Sequence, residues 1–223
     1  MHRTRVKICG ITRPEDAAAA ATAGADAIGI VLHAKSKRCI PVEDARAVRK
    51  AVPPFVSTIG LFVDAKAETI LSAASALSLS MVQLHGGEGP DLIEALDPIP
   101  VIKVVHVTAA TLGNDLKLWR ELISEGRVPN LFGLLMDAAA GGGTGVSNDW
   151  DTLHKHLMAG DLREIPVWIA AGGLNPRNVS EVVHRLHPWA VDVASGVEVR
   201  PGEKSRELIG EFIQAVRHAD AGR

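Results

Sequence analysis

Ile165-Pro-Val-Trp-Ile-Ala-Ala-Gly-Gly-Leu-Asn-Pro-Arg177 is the stretch of the chain that decides the fold. Pro166 to Ala171 is an apolar run of strand length, and two glycines follow it directly. Asn175 is a favourable helix N-cap, and Pro176 suits the first position of a helix. The stretch therefore predicts a buried strand that enters a helix through a turn of bare backbone. Free N–H groups in such a turn, together with the helix dipole, favour an anion such as phosphate.

A similar turn follows at Val191-Asp-Val-Ala-Ser-Gly-Val197, about twenty residues further along the chain. Either turn alone has a simpler explanation, because tight turns require glycine in any case. Two such turns after consecutive strands are able to hold one phosphate between them. The predicted phosphate-binding residues in these turns are Gly172, Gly173, Asp192, Ser195 and Gly196.

Short apolar runs alternate with helical patterns along the rest of the chain, from Arg5–Cys9 to Trp189–Val193. The first helix is predicted to begin at a capping box, Thr12-Arg-Pro-Glu15. We count eight strands and eight helices in strict alternation, which implies a parallel sheet with both faces covered. A chain of 223 residues fits a compact TIM barrel, which typically takes about 250 residues. We therefore predict an α/β fold, a single (β/α)8 TIM barrel over residues 1–223, with a doubly wound open sheet as the alternative.

The composition is that of an ordinary globular protein, with 47% apolar and 22% charged residues and a formal net charge of −2. This charge creates no field for nucleic acid or for a membrane surface, so neither is an expected partner. No apolar run reaches about 18 residues, and no signal-peptide core follows Met1. Two cysteines make no disulfide framework, and the sequence contains no CxxC or HExxH metal motif. We expect a cytoplasmic protein.

A barrel carries its active site at the carboxyl ends of its strands, where Cys9 and Asp137 are predicted to lie. Cys9 is either a small buried residue or a reactive thiol, and Lys7 on the same strand face would favour the thiolate. Asp137 is either a loop cap or, in a partly dry site, a proton donor with a raised pKa. One base and one acid on strands one and six suit proton-transfer chemistry.

Four further side chains are predicted to contact a substrate. Arg38 closes the basic loop Lys35-Ser-Lys-Arg38, which is either a solvated loop or a guanidinium fork for a carboxylate. Gln83 and His85 end the fourth strand, where they contact either a ligand or the packed interior. The predicted substrate-binding residues are Lys7, Arg38, Gln83 and His85.

Seven motifs, taken together and in this order, resemble those of the phosphoribosylanthranilate isomerase family of tryptophan biosynthesis. The resemblance runs from Val6 to about Phe212, nearly the whole chain. The motifs are Val6-Lys-Ile-Cys-Gly-Ile-Thr12, Gly24-Ala-Asp-Ala-Ile-Gly29, Lys35-Ser-Lys-Arg38, Val82-Gln-Leu-His-Gly86, Asp137 with Gly142-Gly-Thr-Gly145, Gly172-Gly-Leu-Asn-Pro176 and Val191-Asp-Val-Ala-Ser-Gly-Val-Glu198.

The resemblance implies a barrel that catalyses the Amadori rearrangement of N-(5-phospho-β-D-ribosyl)anthranilate. The product would be 1-(2-carboxyphenylamino)-1-deoxyribulose 5-phosphate, with no metal or organic cofactor. Cys9 matches the family's general base, Asp137 its general acid, and Arg38 the arginine that holds the anthranilate carboxylate. The glycine turns match the phosphate site, to which we also assign Gly142 and Gly143.

The chain departs from the family pattern at Ile30-Val-Leu-His-Ala34, which replaces an aromatic-rich segment, and it has no tyrosine. The departure concerns the packing of the anthranilate ring. Two alternatives stay open: another sugar-phosphate isomerase or epimerase barrel, as in histidine biosynthesis, and a barrel that binds a phosphorylated ligand without converting it. The expected partner is a small phosphorylated substrate, and the protein is either a monomer or a homodimer.

Overall fold

The computed structural model describes residues 3–138 and 149–222. Eight parallel strands form a closed barrel in the order β1-β2-β3-β4-β5-β6-β7-β8, which confirms the predicted TIM barrel. The strands are β1 Arg5–Cys9, β2 Ala27–Val31, β3 Ser57–Phe62, β4 Met81–Leu84, β5 Val101–His106, β6 Leu131–Asp137, β7 Trp168–Ala171 and β8 Ala190–Val193. The predicted phosphate-site residues Gly142 and Gly143 lie outside the described residues.

A helix follows each barrel strand in the described part of the chain, so the predicted alternation of strands and helices is confirmed. None of these helices is both long enough and apolar enough to cross a membrane. The helices are α1 Pro14–Ala23, α2 Val42–Lys50, α3 Ala67–Leu77, α4 Pro90–Ala95, α5 Leu112–Ser124, α6 Trp150–Ala159, α7 Val179–Leu186 and α8 Arg206–Ala221.

The apolar core has two layers, because each strand buries both of its faces. A small cluster fills the inside of the barrel, with Ile59 from β3 and Ile102 from β5 among its members. A larger cluster lies between the strands and the helices, and it includes Phe62 and Phe212. This two-sided burial explains why the strands are near-continuous apolar runs in the sequence.

The two ends of the chain meet where the barrel closes. Strand β1 pairs with β8, and Lys7 lies opposite Asp192 in the register. Just before β1, the backbone N–H of Thr4 donates to Asp220 Oδ2 over 2.7 Å, and the Thr4 hydroxyl donates to Oδ1 over 2.8 Å. These two hydrogen bonds attach helix α8 to the residue before β1, next to the place where β1 and β8 close the barrel.

The predicted N-caps of two helices were wrong, although Pro14 begins α1 as expected. Helix α1 has Arg13 at its N-cap without a side-chain cap, because the Thr12 hydroxyl donates instead to the carbonyl of Gly202. Helix α7 begins three residues after the predicted position, with Asn178 at its N-cap. Asn175 Oδ1 accepts from the backbone N–H of Arg177 over 2.9 Å, and this local turn competes with helix formation.

A two-stranded antiparallel hairpin between β8 and α8 was missed by the sequence analysis. Its strands are β9 Glu198–Arg200 and β10 Glu203–Lys204, and a 3-10 turn over Ser195–Val197 precedes it. Strands of three and two residues are too short to show a periodic pattern. The hairpin matters because Glu198 and Lys204 contact the candidate site.

Candidate active site

A cavity of about 400 Å³ opens at the carboxyl ends of the barrel strands. It collects residues from β1, the loop after β2, and the ends of β4, β6, β7 and β8, as predicted for a barrel of this kind. Lys7 and Gly196 do not line it. The predicted site residues that line the cavity are Cys9, Arg38, Gln83, His85, Asp137, Gly172, Gly173, Asp192 and Ser195.

Cys9 ends strand β1 at the floor of the cavity, with only 5% of its surface exposed. Gly29 lies opposite it on β2, where a Cβ would come within 2.8 Å of the Cys9 sulfur. The glycine therefore leaves the room that the sulfur occupies. Burial raises the pKa of the Cys9 thiol, and the nearby charge of Lys7 lowers it by less. Lys7 thus favours the thiolate as expected, but desolvation outweighs the cation and the thiol is the preferred form.

Lys7 lies beneath the cavity and forms a buried ion pair with Asp192. The Lys7 Nζ is 2.9 Å from Asp192 Oδ1, and both side chains are less than one-tenth exposed. Burial lowers the pKa of Lys7, but Asp192 and Cys9 raise it further, so the ammonium stays charged. Asp192 thus accepts from Lys7. Since a carboxylate offers no hydrogen to a phosphate dianion, its side chain orients Lys7 instead.

Asp137 ends strand β6, and the two predicted residues of β4 lie beside it. His85 Nε2 is 3.5 Å from Asp137 Oδ2, and Gln83 Nε2 is 3.3 Å from His85 Nδ1. The Gln83 amide nitrogen is placed to donate to Nδ1, and the other ring nitrogen, Nε2, faces Asp137. Gln83 and His85 therefore orient the carboxyl group as well as line the cavity.

Arg38 reaches the cavity from the loop after β2, and Glu198 of the missed hairpin holds it. The Arg38 Nε and Nη2 each donate to a different Glu198 oxygen over 2.7 Å. Its stem crosses the backbone at Gly10, where φ is +73° and a Cβ would overlap the Arg38 Cδ. Glu198 is the last residue of the seventh motif, so its place in that motif is the sequence signal that points to this contact.

The turns after β7 and β8 lie against each other at one side of the cavity mouth. Gly172 and Gly173 adopt φ values of +95° and +64°, which side chains rarely allow. A Cβ at Gly196 would overlap the carbonyl oxygen of Leu174, so only glycine permits this approach. The predicted turns are therefore brought together, although Gly196 supports the turn from behind the cavity lining.

Within residues 3–138 and 149–222, no three His, Cys, Asp or Glu side chains lie close enough together to hold a metal ion. The cavity wall beside Cys9 is apolar and includes Val31, Leu61 and Val63. Arg38, Asp137 and Asp192 lie on the remaining sides, together with the two glycine turns. The site thus offers one thiol, two carboxyl groups of which Asp192 is paired with Lys7, an arginine and two glycine turns around an apolar surface.

The chain is similar to known proteins along nearly its whole length. Residues 6–215 match the family model of N-(5'phosphoribosyl)anthranilate (PRA) isomerase. An N-(5'-phosphoribosyl)anthranilate isomerase from Halorhodospira halophila is 42% identical over 221 residues, which cover 98% of this chain and 99% of that protein.

Two solved structures extend the similarity to the fold. A phosphoribosyl anthranilate isomerase in complex with reduced 1-(o-carboxyphenylamino)-1-deoxyribulose 5-phosphate has a TM-score of 0.81 and 38% identity, over 96% of this chain and 99% of that one. Mutually generated monomers of the dimeric isomerase from Thermotoga maritima have a TM-score of 0.79 and 36% identity, over 96% and 98%.

The closed barrel, with a cavity at the carboxyl ends of its strands, places the chain among the TIM-barrel enzymes. Within that class, a family model matches most of the chain. The chain belongs to the N-(5'-phosphoribosyl)anthranilate isomerase family.

Proposed function

We propose that this chain rearranges N-(5-phospho-β-D-ribosyl)anthranilate to 1-(2-carboxyphenylamino)-1-deoxy-D-ribulose 5-phosphate, with Cys9 as general base and Asp137 as general acid. The reaction is the aldose–ketose isomerisation of tryptophan biosynthesis, the pathway of its family. The single observation that carries the residue assignment is that a thiol from β1 and a carboxyl group from β6 line one cavity.

The proposed reaction consists of proton transfers and the opening of the sugar ring, with no oxidation or reduction. Asp137 gives its proton to the ribose ring oxygen, the C1′–O bond breaks, and the nitrogen lone pair forms a Schiff base. The Cys9 thiolate then removes the C2′ proton, which gives an enolamine that tautomerises to the ketone. His85 Nε2 lies 3.5 Å from Asp137 Oδ2, where a proton on this nitrogen would stabilise the carboxylate that the first step creates.

The substrate has an anion at each end and an aromatic ring, and the cavity offers a matching partner for each. The turns after β7 and β8 direct backbone N–H groups to the phosphate. Arg38 takes the anthranilate carboxylate through a guanidinium fork. The apolar wall of Val31, Leu61 and Val63 covers the ring, without the aromatic residues that the family pattern has there.

The test is the loss of anthranilate fluorescence when the protein meets freshly made phosphoribosylanthranilate. We expect Cys9→Ser and Asp137→Asn to reduce kcat by roughly 10² or more, because each removes a group that transfers a proton. Cys39→Ser is the matched control, since Cys39 does not line the cavity and should retain wild-type turnover.

Three outcomes would contradict this proposal. Near-native turnover in either variant would remove that residue from its role. A wild type that binds the reduced product analogue but never converts the substrate would favour the alternative of a binding protein. Conversion of a different sugar phosphate would favour another isomerase barrel.

We also propose that the chain forms a homodimer through the amino-terminal face of its barrel. Phe55 is fully exposed there and holds a left-handed backbone with φ of +70°. The same face carries a cavity of about 230 Å³ whose lining includes Phe132 and Trp189. An exposed aromatic side chain beside an apolar cavity suits a self-complementary interface. The Thermotoga maritima relative is described as dimeric.

The assembly is tested by light scattering after size exclusion. We expect the wild type to elute as a dimer and Phe55→Asp as a monomer with unchanged turnover, because Phe55 lies at the face opposite the active site. Leu118→Asp, another exposed apolar residue, is the control and should stay dimeric. A monomeric wild type would refute the interface.

We propose the cytoplasm as the location of the protein, in keeping with a biosynthetic family.

A further inference from the structure

Three side chains form a connected group beside the cavity, which we call the Glu198 cluster: Arg38, Glu198 and Lys204. Glu198 is 5% exposed and accepts from Arg38 through both of its oxygens. Its Oε1 also accepts from Lys204 Nζ over 2.7 Å, and the Lys204 side chain is completely buried. Burial raises the pKa of Glu198, but Arg38 and Lys204 lower it further, so the carboxylate stays ionised.

The geometry of the arginine leaves one side of it for a ligand. A guanidinium has five N–H donors in two forks, and Glu198 occupies the fork made by Nε and Nη2. Nη1 and the second hydrogen of Nη2 form the other fork. Because Glu198 fixes the plane of the group, it also fixes the direction in which this second fork points. The Arg38 side chain is 26% exposed and lines the cavity, so the second fork is accessible to a ligand there.

Lys204 connects the same cluster to the phosphate turn. Its Nζ donates to the carbonyl of Ala194 over 2.9 Å, directly before the turn at Ser195 and Gly196. Its backbone N–H donates to the buried carboxylate of Asp16 over 3.0 Å, which anchors the lysine from the other side. A continuous series of hydrogen bonds therefore runs from the guanidinium to the start of the phosphate turn.

We propose that Glu198 is a positioning residue that directs the second fork of Arg38 at the carboxylate of the substrate ring. Through Lys204 it also fixes the spacing between that carboxylate site and the phosphate site. The cluster thereby selects substrates whose two anions are the right distance apart. This inference rests on the proposed function, which supplies a substrate with both groups.

Positioning and simple electrostatics predict opposite results for the same variant. Glu198→Gln removes a negative charge next to Arg38, so electrostatics alone would strengthen the binding of a carboxylate. Loss of orientation would weaken it, because the charged two-point hydrogen bond depends on geometry. Glu198→Asp keeps the negative charge but has a shorter side chain that no longer reaches Arg38 in the same way. Electrostatics alone would leave the binding of a carboxylate unchanged, whereas loss of orientation would weaken it.

The experiment measures Kd by calorimetry for two reduced ligands. One is reduced 1-(o-carboxyphenylamino)-1-deoxyribulose 5-phosphate, and the other is its counterpart without the ring carboxylate. We expect Glu198→Gln and Glu198→Asp to bind the first about tenfold more weakly and the second as the wild type does. Glu203→Gln is the matched control, because it removes a carboxylate from the same hairpin that pairs with Arg13 and Arg200.

Unchanged or tighter binding of the carboxylated ligand by Glu198→Gln, or wild-type binding by Glu198→Asp, would overturn the inference. Circular dichroism checks that each variant is folded. Lys204→Met tests the cluster from its other side, and it should weaken the binding of both ligands because it releases the phosphate turn. If the wild type and all the variants bind both ligands with equal affinity, the connection between Arg38 and the phosphate turn is refuted.

The failure of this inference and that of the proposed function are distinguishable. A wild type that converts the substrate but binds both ligands equally refutes only the role of the cluster. A wild type without turnover refutes the proposed function. A wild type that prefers the carboxylated ligand, with a Glu198→Gln variant that shows the same preference, assigns the selection to other residues.

Discussion

Cys9 shows how two opposed effects decide the state of one residue. The charge of Lys7 favours the thiolate, but Lys7 is itself paired with Asp192, whose negative charge favours the thiol. Burial adds to the second effect and exceeds the first, so the pKa of Cys9 is raised above its usual 9.0. The thiol is therefore the main form at neutral pH, and the thiolate is a minor one.

The pH dependence of the reactivity of Cys9 follows from this raised pKa. The thiolate increases with pH until the pKa of Cys9 is reached, so in a Cys39→Ser background we expect the rate of Cys9 alkylation by iodoacetamide to rise through the neutral range without levelling off below pH 9.0. Lys7→Met should shift the rise to higher pH, because it removes the cation that favours the thiolate. The ultraviolet absorbance of the thiolate provides an independent titration. A plateau near neutral pH would show that Cys9 ionises more readily than its burial implies.

At the scale of elements, the site depends on two turns that are in contact through bare backbone. Gly196 in the turn after β8 lies against the carbonyl of Leu174 in the turn after β7. Neither turn obtains its shape from a regular helix start, since α7 begins only at Val179. The contact between the turns, more than a helix dipole, holds their N–H groups in one place.

Gly196→Ala should therefore destabilise the protein and weaken phosphate binding. A methyl group there has no space and must displace the turn after β7, at a cost of about 1–3 kcal/mol in the free energy of unfolding. Gly210→Ala in α8 is the control, because its Cβ would contact no atom within 4 Å. Since alanine favours helix, this control should gain about 0.5–1 kcal/mol. Urea unfolding and the Kd for inorganic phosphate measure both effects, and equal values for the two variants would refute the contact.

At the scale of the whole molecule, a buried ion pair joins the ends of three barrel strands. Glu88 accepts from the backbone N–H groups of Asp64 after β3 and Gly86 after β4, over 2.9 and 2.8 Å. It also accepts from Lys103 of β5 over 2.8 Å. Burial raises the pKa of Glu88, but these hydrogen bonds lower it further. The folded protein thus binds this proton less tightly than the unfolded chain does.

The barrel should accordingly lose stability in acid through Glu88. A lowered pKa contributes stability above the usual value of 4.5, and the contribution disappears as the pH falls through the pKa of the folded state. We expect Glu88→Gln to lower the free energy of unfolding by roughly 3 kcal/mol at neutral pH and by much less in acid. Urea unfolding of the wild type and of Glu88→Gln, from neutral pH into acid, measures this difference in the free energy of unfolding. The exposed Glu121→Gln should show no such trend, and a constant difference for Glu88→Gln would contradict the prediction.

Most of the fold and the positions of Cys9 and Asp137 could be predicted from the sequence, because they depend on local patterns, whereas the catalytic roles of the two residues stay predictions. Strand ends place Cys9 and Asp137 at the same edge of the barrel, whatever the details of packing. The N-cap at Asn175 was wrong because a local side-chain turn competed with the helix. The single-domain assignment of residues 1–223 and the phosphate role of Gly142 and Gly143 stay predictions.

The sequence by itself determined the order of strands and helices, the closed barrel, the two glycine turns and the place of Cys9 and Asp137 at the ends of their strands. Only the tertiary structure decided what each charged side chain contacts. Lys7 pairs with a residue 185 positions away, and Arg38 with one 160 positions away. Such contacts leave no local pattern, because they arise when the barrel closes. The same closure buries Cys9, and burial sets the ionisation of its thiol.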